Sequence, residues 1–363
     1  MDATLAAQRT TIRDAVSEVT TEVLAESLAT ARAVSATAAQ WLTERVHLGE
    51  PAFSAERNSW WRMPWALTLS GHRDVAAGIL AWADRVALTD DGDLRPGPYR
   101  VDEVRTPVYQ LTHLALAAHL TDRYDLSSRL YAKVLDFWNH NEGGAFVYRD
   151  QRDGETDWLM TAQVGLVAIA VGDNTVRDQT FDWFRQMWQW QTDLDSLKLV
   201  TGRNERGLNA QQPADLPFNI NVVDFTQPRQ MYFQPGAAAA FLAQHAAQAG
   251  SQEAIDIARG LMWLNIDGTL AQLTDETSVH VCKFPWGAAE LCALDTQFDW
   301  APYLVLLNDW FRDRQDSDGS WAPSAFTLAG PAEDVDRMWK TAEHLMEVEK
   351  IAAALSARLA SAR

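Results

Sequence analysis

Two cysteines in 363 residues, Cys282 and Cys292, are too few to staple a chain of this length. They read as reduced core thiols and point to a cytoplasmic protein. No apolar run approaches the roughly 20 residues that cross a bilayer. The opening MDATLAAQRTTIRDAV mixes acids into an amphipathic pattern and lacks the apolar stretch of a leader. Basic residues are in deficit, with 31 Lys and Arg against 49 Asp and Glu and a formal net charge of −18. So acidic a surface repels phosphate backbones and anionic lipids, which excludes nucleic acid and membrane as expected partners. Alternating β-branched runs are confined to pieces such as Phe146-Val147-Tyr148 and Val222-Val223, so a β-sandwich or barrel is excluded. There is no P-loop, no GxGxxG after a strand, no GxSxG and no HExxH. What remains is a small-molecule partner and no cofactor.

What is present is helical. Hydrophobic residues make up 47% of the chain and charged ones 22%, enough for a packed core. Sixteen tryptophans point to stapled helices or an aromatic cavity. Glycine turns fall at Asp91-Gly92, Gly143-Gly144, Gly202, Asp267-Gly268 and Asp318-Gly319, at spacings of about 50–65 residues, the length of two helices and their connections. After these turns come segments rich in small or apolar residues: 58–71, 103–120, 156–171, 228–248, 279–294 and 334–356. Helices apolar on nearly all sides are buried on all sides. Between them, 73–87, 125–139, 176–192, 252–264 and 300–314 carry one apolar stripe and one charged face, as an outer layer should. The alternation predicts an all-α fold, an (α/α)6-type toroid of helical hairpins. It forms one domain over 1–363, with an additional N-terminal helix in residues 1–50 packing on it.

Gln315-Asp-Ser-Asp-Gly-Ser-Trp321 resembles the QxxDGSW repeat of the squalene–hopene cyclase and protein-prenyltransferase toroids, the terpenoid cyclase-like superfamily. There the Gln and Trp tie an outer helix to the next turn. Lys283-Phe-Pro-Trp-Gly-Ala-Ala289 is similar to a buried helix opening of the same superfamily, and Asn141-Glu-Gly-Gly-Ala-Phe-Val147 resembles the GG turn of six-hairpin sugar epimerases and glycosidases. The resemblance implies fold, not activity. The DxDD acid and DDxxD diphosphate motifs of the cyclases are missing. The nearest strings, Thr89-Asp90-Asp91-Gly92-Asp93 and Asp193-Leu194-Asp195, read as turn caps.

In a ring of inner helices running the same way, the N-termini converge on one electropositive mouth. The first turns there supply Asn58, Trp61, Arg62, Glu103, Arg105, Tyr109, Asp157, Trp158, Arg229, Gln230, Tyr232, Gln234, His280, Lys283, Trp286, Asp336, Lys340 and Glu343. Asp157 is the best-placed proton carrier, with His280 its partner and Glu103 and Tyr232 secondary. Trp61, Arg62, Tyr109, Trp158, Arg229, Lys283 and Trp286 form the expected substrate wall, with Arg229 and Lys283 anchoring an anionic group. Each has a plainer reading: Asp157 as a helix cap, His280 as a core histidine, Glu103 with Arg105 as a surface ion pair, Lys283 paired to Glu290. Trp183, Trp188, Trp190 and Trp310 read as staples between hairpins. Segment 201–227 is too long for a mere connector and is expected to fold over the mouth as a lid.

These features point to a cofactor-independent cyclase or isomerase of a terpenoid-like or polycyclic small molecule. The alternatives are a carbohydrate-active enzyme of six-hairpin type, either epimerase or glycoside hydrolase, and a non-catalytic binding toroid. Oligomeric state leaves no mark in the sequence. His280 and Cys282 stand two apart, so on a helix they point about 200° from each other and cannot share a metal. Dialysis against EDTA is therefore expected to leave ligand-induced stabilisation unchanged, and a loss restored by Mg²⁺ or Zn²⁺ would refute the metal-free reading.

Overall fold

A computed structural model describes residues 11–56, 59–100, 102–150, 154–275, 282–324 and 330–361. In chain order its helices begin with α1 (Ile12–Ala15), α2 (Thr21–Thr43), α3 (Met63–Leu69), α4 (Arg73–Val86), α5 (Val108–Leu120), α6 (Tyr124–Leu135) and α7 (Trp158–Val171). They continue with α8 (Asn174–Trp190), α9 (Gln234–Ala249), α10 (Gln252–Asp267), α11 (Ala271–Thr274), α12 (Phe284–Cys292), α13 (Ala301–Arg314) and α14 (Asp334–Ser361). The fold is the all-α toroid that the patterning predicts. Inner helices α3, α5, α7, α9, α12 and α14 each pack on the next, and α14 returns to α3, so the inner ring closes. Outer helices α4, α6, α8, α10 and α13 lie against α3, α5, α7, α9 and α12.

The outer layer is completed from the other end of the chain. The N-terminal helix α2 packs along α14 and beside α13, so it serves as the sixth outer helix. Residues Leu24, Leu28, Ala31, Val34, Ala38, Trp41 and Leu42 form its buried stripe.

Four inner helices start later than their apolar runs suggest, and proline is the reason. Pro64, Pro235 and Pro285 occupy the first helical positions of α3, α9 and α12, and Pro107 is the N-cap of α5. Proline's fixed φ and missing N–H suit it to the start of a helix and nowhere further in. Residues just upstream, among them Glu103, Arg105, Arg229 and Tyr232, therefore lie in connections and not in first turns. At α7 the expected first turn is instead strand: Thr156–Asp157 pairs with Ala145–Phe146 on one side and Gly202–Asn204 on the other, with Gly207–Asn209 outermost. No helix among the described residues is long and apolar enough to cross a membrane.

The Gln315–Trp321 turn is the stitch between the two chain ends. Gln315 Nε2 donates to the Val34 carbonyl of α2 at 3.0 Å and to the Gly319 carbonyl at 3.0 Å. Trp41 Nε1 of α2 donates to Asp318 at 3.0 Å. Trp321 is fully buried, donates its indole N–H to the Phe311 carbonyl of α13, and takes the Thr341 hydroxyl of α14 on its backbone N–H. Gly319 has φ 92°, and a Cβ there would stand 2.6 Å from the Thr37 carbonyl oxygen, so only glycine lets the turn touch α2. Trp321→Ala is expected to cost about 3–5 kcal/mol, as large aromatic truncations in cores do. Unfolding curves identical to wild type would show that the turn does not close the ring.

Candidate functional site

The mouth cavity lies where the inner-helix N-termini converge, and every inner helix or the connection entering it supplies wall: Arg62, Tyr109, Leu159, Met231 with Phe233, Cys282 with Lys283, and Trp339, Lys340 with Glu343. Ser324 completes it. It encloses about 170 Å³. Three of its side chains are cations and one is an anion, all buried.

Lys283 and Lys340 grip the two oxygens of Glu343 at 2.5 and 2.6 Å. Burial alone would strip Lys283 of its charge, but Glu343 outweighs it and carries the ammonium well above the usual lysine range. Burial likewise opposes ionisation of Glu343, yet Lys283, Lys340 and Arg62 hold its carboxyl well below the usual range. Glu343 is thus a pinned carboxylate and a poor base. Arg62 is the opposite case. Among the described residues it makes no hydrogen bond, with Nε and Nη1 sealed and unpartnered, and its guanidinium lies 3.8 Å over the Trp61 ring with Trp339 and Tyr109 at 5.2 and 5.4 Å. Behind it, burial holds His113 well below the histidine range, with Arg62 adding to the effect. The imidazole is therefore neutral. Burial pushes the Cys282 thiol up to about 11, so it stays protonated and is no nucleophile at neutral pH.

Lys283 reaches the cavity because α9 and α12 touch. A Cβ on Gly236 would stand 2.0 Å from the Lys283 carbonyl oxygen. One turn beyond Glu343, Glu347 is buried with Oε2 unpartnered, and burial, with Glu343 adding to it, pushes its carboxyl up to about 8.

Of the residues expected from the sequence, Arg62, Tyr109, Lys283, Lys340 and Glu343 line this cavity and Trp61 backs it. The rest go elsewhere. Glu103 is exposed and pairs with Arg100 at 3.3 Å. Tyr232 is buried in the core near Phe225 and donates its hydroxyl to the Gln227 carbonyl. Trp158 sits between layers against Trp183 and Phe184, its N–H on the Gln234 carbonyl. Arg229 stands in the connection before α9, its backbone N–H on Asp275. Trp286 packs on Trp65 and lines a second cavity of about 230 Å³ at the opposite end of the ring. Glu290, the partner expected for Lys283, pairs with Lys350 at 3.2 Å. His280 lies outside the described residues.

Asp157 caps α7, accepting the Met160 N–H at 2.7 Å. Burial raises its pKa, while the Met160 bond and Arg105, not the expected Arg229, oppose the shift. It belongs to a separate cluster with Glu155, also raised by burial. Segment 201–227 builds the rim of that cluster: Arg105 pairs with Asp215 at 2.7 Å and Asn209 bonds Glu155. It stands on the inner-helix N-terminal side as strand and hydrogen-bonded loop, with none of its residues in the mouth-cavity wall. Sequence reading passed over Trp339 and Cys282, since a lone aromatic or thiol in an apolar run carries no signal of direction. Among the described residues no three of His, Cys, Asp and Glu gather as a metal would require.

No family model and no curated protein matches the sequence. Solved structures do resemble it. An inactive variant of the α-1,6-mannanase GH76A of Salegentibacter sp. HEL1_6, bound to α-1,6-mannotriose, has a TM-score of 0.60 at 11% identity over 89% of this chain and 99% of its own. A family 76 glycoside hydrolase from a bovine Bacteroides thetaiotaomicron strain gives 0.57 at 9%, over 91% and 78%. A variant of the type II terpene cyclase MstE from Scytonema, bound to geranylgeranyl dihydroxybenzoate, gives 0.53 at 12%, over 91% and 99%. At such identities the likeness establishes the α/α toroid and nothing about chemistry.

Two outcomes test the site's construction. Gly236→Ala is expected to cost about 1–3 kcal/mol through overpacking and to displace Lys283; melting at the wild-type temperature would refute the close approach. The second concerns Glu347. Its folded pKa exceeds the ordinary 4.5, so the folded state binds the extra proton and stability falls as pH rises between the two values. Lys283 from α12, and Lys340, Glu343 and Lys350 from α14, are the charges that act on it. Glu347→Gln should therefore raise Tm more at about pH 8 than at about pH 4; equal shifts would mean that Glu347 is ionised in the fold.

Proposed function

We propose that this chain is a cofactor-independent enzyme of the isomerase or cyclase type, acting on a small anionic molecule in the mouth cavity. The observation that supports it is Arg62, a buried guanidinium in the cavity wall that makes no hydrogen bond or salt bridge among the described residues, while Glu343, the carboxylate it acts on, is held by the two lysines. An uncompensated buried charge costs several kcal/mol, and a cavity-facing cation of this kind is relieved by a ligand's anion. Arg62, Lys283 and Lys340 anchor that anion, and Trp339, Tyr109 and Phe233 bound its apolar body. Tyr109 supplies a hydroxyl beside the anchor for proton transfer. Two excess positive charges repel a carbocation, so proton-transfer isomerisation suits the cavity better than protonation-initiated cyclisation, unless the substrate's own anion neutralises the site first.

A carbohydrate-active reading has one observation in its favour, the carboxyl pair Glu155 and Asp157 at the same end of the ring. The inactive mannanase carries substitutions at two adjacent aspartates. In this sequence the adjacent pair is Asp90 and Asp91, held in a turn where Asp91 pairs with Lys133 at 2.7 Å, outside the cavity. That weighs against a mannanase.

Thermal-shift titration with matched anionic and neutral small molecules separates the readings. Anions are expected to stabilise the wild type and to lose their effect in Arg62→Gln, with the ligand-free melt of that variant as the control for folding. Neutral sugars stabilising both proteins equally, with Glu155→Gln abolishing the effect, would replace the anion reading by the carbohydrate one.

A further inference from the structure

The charge balance of the mouth cavity narrows the ligand. This step rests on the anion-anchoring role proposed above and asks which anion. Among the described residues, Arg62, Lys283 and Lys340 oppose a single ionised carboxylate in the wall, Glu343. The other titratable groups nearby do not redress the balance. Glu347 is held protonated by burial, and His113 is held neutral. Asp336, further up α14, takes the Glu333 backbone N–H and is not in the wall. The described wall therefore carries two positive charges in excess.

Those charges are concentrated. Both lysines reach the same carboxylate group, at 2.5 and 2.6 Å, and Arg62 acts on that carboxylate as well. A compact cluster is matched by two negative charges on one head and poorly by two carboxylates held apart. Two helix starts face the same cavity. The N-cap residues of α9 and α12 are Phe233 and Lys283, both in the cavity wall, and neither helix has a side-chain cap bond. The Gln234 N–H is taken by the Met231 carbonyl, and Pro235 and Pro285 have no N–H, so these starts act on an anion through the helix dipole, with no capping carboxylate in the way. By contrast α7 has its end closed by Asp157. Enclosed space of about 170 Å³ is below the roughly 300 Å³ of a typical small-molecule pocket, so the head group is the part the site grips most fully.

We infer that the mouth cavity binds the phosphate dianion of a small phosphate monoester, held by Arg62, Lys283 and Lys340. The apolar body of the ester lies against Leu159, Met231, Phe233 and Trp339. A monoester loses its second proton near pH 6, so the dianion is the form present at neutral pH. Pinned between its lysines, Glu343 limits the cavity to two excess charges.

Calorimetric titration of the full chain with phenyl phosphate, phenyl sulfate and benzoate tests this. The first is a tetrahedral dianion, the second a tetrahedral monoanion and the third a planar monoanion. Phenyl phosphate is expected to bind at least about ten-fold more tightly than either monoanion, since each unmatched buried charge is costly, and its affinity should rise as pH passes about 6. Arg62→Gln should weaken it by about ten-fold or more, and Glu343→Gln should tighten it by freeing two lysines. Lys340→Met is the alternative to Arg62→Gln should that variant melt early. Equal affinity for all three anions would overturn the dianion while leaving the anionic reading in place. Binding of none of them, or binding unchanged in the cavity variants, would overturn both.

Discussion

The toroid exists because its two chain ends are held together. An inner helix such as α7, with the sequence WLMTAQVGLVAIAV, has no face it can show to water, so it is stable only with neighbours on every side. An open row of five hairpins would leave α3 and α14 each with one bare flank. Packing α14 on α3 removes both flanks, and α2 then covers the outside of α14. The polar part of that closure is small: Gln315, Asp318 and the Trp321 indole join α2, α13 and α14 through a few hydrogen bonds at about 3 Å. Around it Trp310, Phe311, Trp321 and His344 pack edge to face, which adds to the apolar burial. Closure is non-local in the extreme, since Gln315 and Val34 lie 281 residues apart.

A closed ring creates an interior that a row of hairpins would not have, and the chain fills it unevenly. Aromatic and aliphatic side chains fill most of it, while charge is admitted at one end. There, six helix starts supply positive potential, and the pinned Glu343 offsets part of it. Burying Lys283, Lys340 and Glu343 together is tolerable because each oxygen of the carboxylate meets an ammonium, whereas Arg62 acts on the same carboxylate but makes no salt bridge among the described residues. The mouth is thus the place where buried cations outnumber buried carboxylates among the described wall residues.

Periodicity, the glycine turns and the near absence of strand patterns sufficed to read the architecture, because burial on all sides and burial on one side leave different marks on composition. Part of the mouth was legible as well. Arg62 and Lys283 each stand two positions before the proline in the first turn of α3 and α12, and a charge next to an apolar helix start is conspicuous. Tyr109 followed from the same logic at Pro107. What misled was the assumption that an apolar run and its helix begin together. Glu103, Arg229 and Tyr232 fall before their helices, and Asp157 falls in a strand, so none of them shares the inward direction of a first turn.

The sequence by itself determined which segments are helices, which of them are inner and which outer, and where proline and glycine end or begin them. These are local properties, set by side-chain hydrophobicity and backbone stereochemistry over a few turns. Only the tertiary structure decided that α2 is the sixth outer helix, that Lys283 meets Glu343 and not Glu290, and that Trp286 faces the far end of the ring. Each of those depends on rotation about a helix axis and on which helices are neighbours. Along a helix one residue changes direction by about 100°, so a boundary misplaced by one or two residues turns a side chain away from the axis. Pairings 60 residues apart, such as that of Lys283 with Glu343, arise only when α12 and α14 pack together.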